Sequence, residues 1–155
     1  MNMSLNRRLI QLGIRISGGG EPFIAGDAAD LEQTLIEAVL QFPEDERMVS
    51  LVFSWIKVHG NYVIVEKLVK LAARYPVDKY PAIRWVAALA AYGAEHCSHK
   101  WRKLARRQSS PVYLFPEDVT KSAVARKGAI PWLKKLNIIV PEGALRIREG
   151  DIVSP

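Results

Sequence analysis

The sequence predicts a mainly α-helical protein: three helical hairpins, arranged as a stack or as an orthogonal bundle, followed by a small α+β segment. Three observations predict it. Apolar residues recur at helical spacing through most of the first 108 positions. Three stretches of that region superpose at a fixed offset of 33 residues. After Arg107 the helical pattern gives way to short β-prone runs separated by proline and glycine.

The first five predicted helices each carry an apolar stripe at helical spacing. The stripes are Leu5, Leu9, Leu12 and Ile16; Leu31, Leu35, Ala38, Val39 and Phe42; Met48, Val49, Val52, Phe53 and Ile56; Val65, Leu68, Val69 and Ala72; and Ile83, Val86, Leu89 and Ala90. Asp27 or Asp30 is the expected cap of the second helix, and the carboxylates of residues 44–46 suit the start of the third. A sixth, shorter helix is predicted over residues 98–108.

The repeat is carried by EQTLIEAVLQFP (32–43), VEKLVKLAARYP (65–76) and SHKWRKLARRQS (98–109), in which Leu35, Leu68 and Trp101 align. Each copy follows another helix, so residues 1–108 are predicted to form a helical-repeat domain of three hairpins. In stacked arrays one hairpin cannot bury its own apolar face and needs its neighbour. The alternative is a compact orthogonal bundle, because any two amphipathic helices can be aligned by sliding one along the other.

In its layout, though not in any signature motif, this region resembles HEAT- or TPR-type repeats in general. It lacks the tryptophan-leucine-glycine-tyrosine pattern of TPR repeats and the threonine-proline-leucine-histidine turn of ankyrin repeats. The resemblance covers residues 4–108 and implies only a shape.

Residues 109–155 are predicted to form a small C-terminal segment that contains a helix-turn-helix and a β-hairpin. Residues 112–115 are β-prone, and helices are expected over 117–128 and 130–136, the second entered through Pro131 in its first turn. Strand-like residues 137–140 and the alternating Leu145-Arg146-Ile147-Arg148 then flank a turn. This order fits either a winged-helix-like module or a cap that closes the open end of the stack.

Charge is distributed unevenly along the chain, and this matters more than the formal net charge of +6. Residues 21–46 contain eight acidic residues and no base, whereas residues 100–107 contain five bases and no acid. Such polarity can steer a polyanion to one face, although solvated helix faces can also produce it.

The candidate nucleic-acid-binding residues are the bases of the last hairpin and of the C-terminal segment. They are Lys100, Arg102, Lys103, Arg106, Arg107, Lys134, Lys135, Arg146 and Arg148. Bases on an exposed helix bind phosphates by charge, the second C-terminal helix would approach the groove, and alternate arginines on a wing would meet phosphates. Trp101 could stack on a base, but its alignment with two apolar leucines favours a place in the core.

The sequence contains no constellation typical of catalysis or of a cofactor. The stretch Glu95-His96-Cys97-Ser98-His99 lacks the third and fourth ligands that zinc sites need. Gly18-Gly19-Gly20 has no lysine partner of the phosphate-loop type and is expected to be a linker. We therefore expect no metal, no cofactor and no enzymatic activity.

The cellular setting is predicted from what the chain lacks. A single cysteine, Cys97, excludes an internal disulfide framework and suits a reducing compartment. No apolar run approaches the roughly 18 residues of a membrane span, and the first residues lack the pattern of a secretory signal. We expect a cytoplasmic protein that contacts no membrane.

Two functions are compatible with these features. In the first, the protein is a nucleic-acid-binding regulator or accessory factor that uses the basic helix and the wing-like hairpin. In the second, it is a helical adaptor without catalytic activity, whose acidic residues 21–46 meet a basic protein or another copy of the chain. A third interpretation pairs the two charged regions within a head-to-tail homo-oligomer. The choice between the first two depends on whether the basic residues of 100–107 and 134–148 share a surface.

Overall fold

The computed structural model describes residues 4–16, 30–113, 129–141 and 145–153, and within them the protein is mainly helical. The linker predicted at 18–20, the helix predicted over 117–128 and part of the turn after Val140 lie outside these residues. No helix among the described residues has the length and apolar character that crossing a membrane requires.

The first two helices are joined by an ion pair. Helix α1 (Leu5–Gln11) begins at Ser4, whose hydroxyl accepts a hydrogen bond from the amide of Arg7 at 3.3 Å. Helix α2 (Leu31–Leu40) follows Asp30, which adopts a left-handed conformation with φ 61° and makes no side-chain cap. Asp30 therefore occupies the predicted cap position without a capping side-chain bond, and the alternative cap, Asp27, lies outside the described residues. Arg8 pairs with Glu37 across the two helices.

Helix α3 (Glu46–His59) is the central element. Its predicted acidic start is confirmed, since the carboxylate of Asp45 accepts a hydrogen bond from the amide of Met48 at 3.3 Å. The helix contacts α2 and the fifth helix, and the indole of Trp55 donates to the carbonyl of Leu12 at 2.8 Å. The buried Trp55 thus links the helix to the end of α1.

The next two helices pack mainly on different preceding helices. After a 3₁₀ turn (Gly60–Tyr62) comes helix α4 (Val65–Ala72), and a 3₁₀ turn (Pro81–Arg84) leads directly into helix α5 (Trp85–His96). Helix α4 contacts α2, whereas α5 contacts α3. Alternate helices of the chain are therefore neighbours, with α2 beside α4 and α3 beside α5.

The helix predicted over residues 98–108 is shorter and of another type, a 3₁₀ helix (His99–Leu104) that packs on α5 and α4. Trp101 at its centre is fully buried, which confirms the core interpretation; Leu35 and Leu68, with which it aligns in the sequence, are buried as well. Beyond this helix the chain bonds to the C-terminal segment: the amide of Gln108 donates to the carbonyl of Leu136 at 2.9 Å.

The C-terminal segment contains one short helix and one strand pair among its described residues. Helix α6 (Pro131–Lys134) has its proline in the first turn, as predicted. Strand β1 (Val112–Tyr113) pairs in parallel with strand β2 (Ile138–Ile139), with Val112 opposite Ile138. Asn137, with φ 64°, makes the left-handed turn between the helix and β2.

The predicted hairpin between residues 137–140 and 145–148 is wrong. Residues 145–148 form no strand, and the amides of Arg146 and Arg148 donate to the hydroxyls of Ser50 and Ser54 on α3, at 3.0 and 2.9 Å. Serine side chains of a helix thus take the amides that a partner strand would have taken.

The last described residues close the fold against its beginning. A 3₁₀ turn (Glu149–Asp151) contacts α3, and Ile152 forms an antiparallel bridge with Ile14. Side chains from both parts of the chain, including Leu133, Ile138 and Ile152, belong to the same buried cluster as those of the helices. The boundary at residue 108 therefore stays a prediction.

Candidate nucleic-acid interface

The ammonium group of Lys100 is used in hydrogen bonds within the fold. Its ammonium donates to the carbonyls of Asn61 and Val63 at 2.6 and 2.8 Å, and so closes the end of the 3₁₀ turn that follows α3. Both bonds are charge-assisted and tie the last hairpin to the one before it. Of the five bases in 100–107, this one is the least available to a ligand.

The other four bases of this stretch are exposed. They are Arg102, Lys103, Arg106 and Arg107. Arg102 and Lys103 belong to the 3₁₀ helix, while Arg106 and Arg107 follow it in a stretch without regular secondary structure. Within the described part of the chain none of the four forms an ion pair, so their charge is not neutralised internally.

Backbone pairing brings Lys134 and Lys135 to this stretch. Besides the Gln108–Leu136 bond, the side-chain amide of Asn137 donates to the carbonyl of Gln108 at 3.2 Å. The exposed Lys134 is the last residue of α6 and the exposed Lys135 the first of the turn that ends at Asn137, and the exposed Arg106 and Arg107 immediately precede Gln108. We call Arg106, Arg107, Lys134 and Lys135 the basic surface.

Arg146 and Arg148 lie elsewhere, in a segment that packs against α3. With Arg47 they line a cleft of about 400 Å³ between the first turns of α3 and the 3₁₀ turn at 149–151. No described hydrogen bond or ion pair connects this cleft with the basic surface. The structure therefore brings Lys134 and Lys135 together with Arg106 and Arg107, and joins Arg146 and Arg148 to Arg47.

Arg47 is a site residue that sequence reasoning missed. It stands directly after the acidic run 44–46, where the local pattern indicates only a helix start. It meets Arg146 because Ser50, one turn later, accepts the Arg146 amide. The local sequence around Arg47 does not predict a contact with a segment so distant along the chain.

The acidic residues that the structure describes within 21–46 differ in exposure and pairing. Glu32 is 3% exposed, and Glu37 is paired with Arg8. Among the described acids of 21–46, exposed carboxylates lie at Asp30 and at the consecutive positions 44–46. The described part of this acidic region, residues 30–46, therefore presents less free charge than its composition indicates.

Cys97 and its two neighbouring histidines show no catalytic arrangement. The Cys97 thiol donates to the side-chain oxygen of Asn61 at 3.2 Å. Burial raises the pKa of this thiol, while the nearby Lys100 and a hydrogen bond with Asn61 oppose the rise. The thiol is therefore protonated near neutral pH, the less nucleophilic form. The described residues contain no group of three metal-binding side chains.

Comparisons with known proteins give no relative from which a function could be transferred. No protein-family model, curated protein or solved structure shows significant similarity to this chain. A functional assignment therefore depends on the geometry described above.

Proposed function

We propose that the protein binds nucleic acid through the basic surface, as a regulator or accessory factor without a chemical step of its own. The observation that supports this most is the pairing of Gln108 with the turn before β2, which joins the two segments that carry these exposed cations. Arg102 and Lys103 extend the surface along the preceding 3₁₀ helix.

The chemistry of the surface favours the phosphate backbone over the bases. Guanidinium groups bind phosphate oxygens in a bidentate manner and ammonium groups bind them as point charges, and each contact releases a condensed counterion. Trp101 is buried, so the most prominent aromatic of this stretch is not available for stacking. We therefore expect strong salt dependence and little sequence preference.

We propose that the helices form a short stack closed by the C-terminal segment. The neighbour relations of α2 with α4 and of α3 with α5 support a stack of hairpins. The fully buried Leu133 and Ile138 support the role of a cap, as do the ring contacts of Trp132 with Phe53 and Tyr92. In this arrangement the cap carries Lys134 and Lys135 on its outer side, so one element both closes the stack and contributes charge.

The test is a comparison of two triple variants of equal charge. R106Q/K134Q/K135Q removes three cations of the basic surface, and the control K67Q/K70Q/R74Q removes three exposed cations of α4 and the turn after it. Binding of fluorescently labelled duplex and single-stranded oligonucleotides is followed by anisotropy across a salt series.

We expect the first variant to bind more weakly, with the slope of log K against log salt reduced by about 2.7, because each duplex phosphate contact contributes roughly 0.9. The control variant should keep the slope of the unmodified protein. The proposal is wrong if neither probe binds at low salt, or if both variants lose affinity equally.

The second candidate function, a protein-interaction adaptor, is supported by exposed apolar side chains at the start of α4. Tyr62, Ile64 and Val69 are 47%, 57% and 38% exposed. The unpaired carboxylates at 44–46 would favour a basic partner protein. A stoichiometric partner that co-purifies after nuclease treatment and is lost in I64S/V69S would support this function over the first.

The head-to-tail homo-oligomer is a separate proposal. It pairs the exposed carboxylates at 44–46 of one copy with the basic surface of the next. Sedimentation at low and high salt tests it: we expect larger species at low salt that dissociate as salt rises. A monomer at both concentrations would exclude it.

A further inference from the structure

We propose that the cleft formed by Arg47, Arg146 and Arg148 is a second anion site, and that it takes a phosphomonoester carried by a small hydroxyl-bearing molecule, such as a sugar phosphate or a mononucleotide. The site lies between α3 and residues 146–151, and it is distinct from the basic surface. The inference therefore stands or falls independently of the function proposed above.

The size of the cleft fits such a ligand. Its volume of about 400 Å³ falls within the range of small-molecule sites, roughly 300–1,000 Å³. Its walls come from two elements that are distant along the chain, the first turns of α3 and residues 146–151. Leu51 contributes apolar surface and Ser50 a hydroxyl.

The backbone that carries two of the arginines is fixed to a helix. The Ser54 hydroxyl donates to the carbonyl of Ser50 at 2.7 Å while accepting the Arg148 amide, so its orientation is set by two bonds. The Arg146 amide is held one turn earlier by Ser50. Side chains two apart on an extended segment project to the same side, which directs both guanidinium groups to the cleft.

The following turn is anchored as well. Glu149 pairs with Lys57 of α3 at 3.3 Å, and the amide of Arg15 donates to the carbonyl of Asp151 at 2.8 Å. Residues 146–151 are thus held at both ends. A fixed backbone lowers the conformational cost of ordering the arginines on a ligand.

The arginines supply the affinity for phosphate. Among the described contacts, none of Arg47, Arg146 and Arg148 forms an ion pair. Three guanidinium groups can surround the oxygens of a single phosphate with bidentate bonds. A phosphomonoester dianion offers more charge and more free acceptor oxygens than the diester of a nucleic-acid backbone.

Two carboxylates in the same cleft restrict the rest of the ligand. Glu46 and Asp151 line the cleft without pairing with its arginines at ion-pair distance. They repel further phosphates but accept hydrogen bonds from hydroxyl or amino groups. The combination favours one phosphate attached to a polar, uncharged body and disfavours polyphosphates.

The experiment measures ligand binding to the full chain by isothermal titration calorimetry. The probes are ribose 5-phosphate, adenosine 5′-monophosphate, adenosine 5′-triphosphate, ribose and inorganic phosphate. We expect the two monophosphates to bind more tightly than inorganic phosphate and the triphosphate, and ribose not to bind. A stronger response to one monophosphate than to the other identifies the body that the cleft prefers.

Variants locate the site. R47Q and R148Q should each weaken monophosphate binding about tenfold or more, since a hydrogen bond to a charged group contributes about 1.5–3 kcal/mol. R47K keeps the charge but not the bidentate geometry. Its affinity for the monophosphates should lie between that of the unmodified protein and that of R47Q. The triple variant R106Q/K134Q/K135Q should bind the monophosphates normally. Circular dichroism confirms that each variant is folded.

Two results would overturn the inference. One is the absence of binding for both monophosphates at the highest soluble concentration. The other is unchanged affinity in R47Q and R148Q, which would place the ligand elsewhere. Loss of oligonucleotide binding in the basic-surface variant together with intact monophosphate binding would separate the two proposals.

Discussion

The ring of Trp101 packs directly on Gly93 of α5, and this contact positions the 3₁₀ helix (His99–Leu104) on α5. A Cβ added at Gly93 would lie 2.7 Å from two atoms of the Trp101 ring. Only glycine lets the ring lie against α5, and the ring in turn fixes the 3₁₀ helix that leads to the basic surface.

We therefore expect Gly93→Ala to lower the free energy of unfolding by about 1–2 kcal/mol, because overpacking outweighs the helix propensity gained. Urea denaturation followed by circular dichroism measures the change. Gly150→Ala is the matched control: nothing lies within 4 Å of its added Cβ, and its effect should stay within about 0.5 kcal/mol. A stabilised Gly93→Ala protein would contradict the packing described here.

Tyr92 should make stability sensitive to alkaline pH. Burial, and secondarily the charge of Glu149, raises the pKa of its phenol from 10.0 to about 12. Between these values the folded state holds a proton that the unfolded chain has released. The free energy of unfolding should therefore fall as pH rises from 10 to 12, with no contribution below.

Urea midpoints measured across this pH range test the expectation. In Tyr92→Phe this contribution to the pH dependence should vanish. Glu149→Gln should lower the phenol pKa, which ultraviolet difference absorbance reports directly. An unchanged pH profile in Tyr92→Phe would show that another group titrates there.

The role of a single residue was predictable where it depends on neighbouring residues or on an aligned position elsewhere in the sequence. The buried place of Trp101 follows from its alignment with Leu35 and Leu68. The role of Lys100 does not follow from the sequence in this way, because its ammonium group donates to the carbonyls of Asn61 and Val63, which are distant along the chain. Arg47 was missed for the same reason, since its neighbours in the cleft come from the other end of the chain.

At the scale of elements, two serines of α3 replace a partner strand for residues 145–148. Loss of the Ser54 hydroxyl leaves the Arg148 amide without its bond and removes the bond to the Ser50 carbonyl. Because Ser54 is 1% exposed, water cannot readily take its place.

We expect Ser54→Ala to destabilise the fold by about 1–3 kcal/mol. It should also increase hydrogen exchange at the Arg148 amide more than at amides within α5, as measured by nuclear magnetic resonance. Ser109→Ala, an exposed serine that makes no described hydrogen bond, is the control and should change neither quantity. Equal exchange at Arg148 in both variants would show that the segment is held by other contacts.

Elements with strong helical periodicity were predictable, and partners of strands were not. The five apolar stripes correspond to α1–α5, although Ile16 lies beyond α1 and Ile83 lies in the 3₁₀ turn before α5. The β-prone runs around Val112 and Ile138 are strands. Their mutual parallel pairing could not be read from the sequence, because a two-residue strand carries almost no register information. The expected hairpin failed because Ser50 and Ser54 compete for the same amides, a contact that no local pattern encodes.

For the whole molecule, one buried cluster includes side chains from Leu9 to Ile152. We therefore expect a single cooperative unfolding transition. Tryptophan fluorescence and far-ultraviolet circular dichroism should give the same urea midpoint. Two separate transitions would instead support two domains divided at residue 108.

Fluorescence can be assigned to the two regions with a pair of variants. Trp132→Phe removes the tryptophan of the C-terminal segment, whereas the three others lie fully within the helical body. If the segment unfolded independently, this variant would lose an early fluorescence phase. We expect its midpoint to match that from circular dichroism.

The bridge between Ile14 and Ile152 has a consequence for synthesis on the ribosome. The amide of Arg15 and the carbonyl of Gly13 find their partners in Asp151 and Val153, which are translated long after them. Until residues 151–153 have been made, these two groups lack their native partners, and a chaperone that shields unpaired backbone groups would act on the nascent chain.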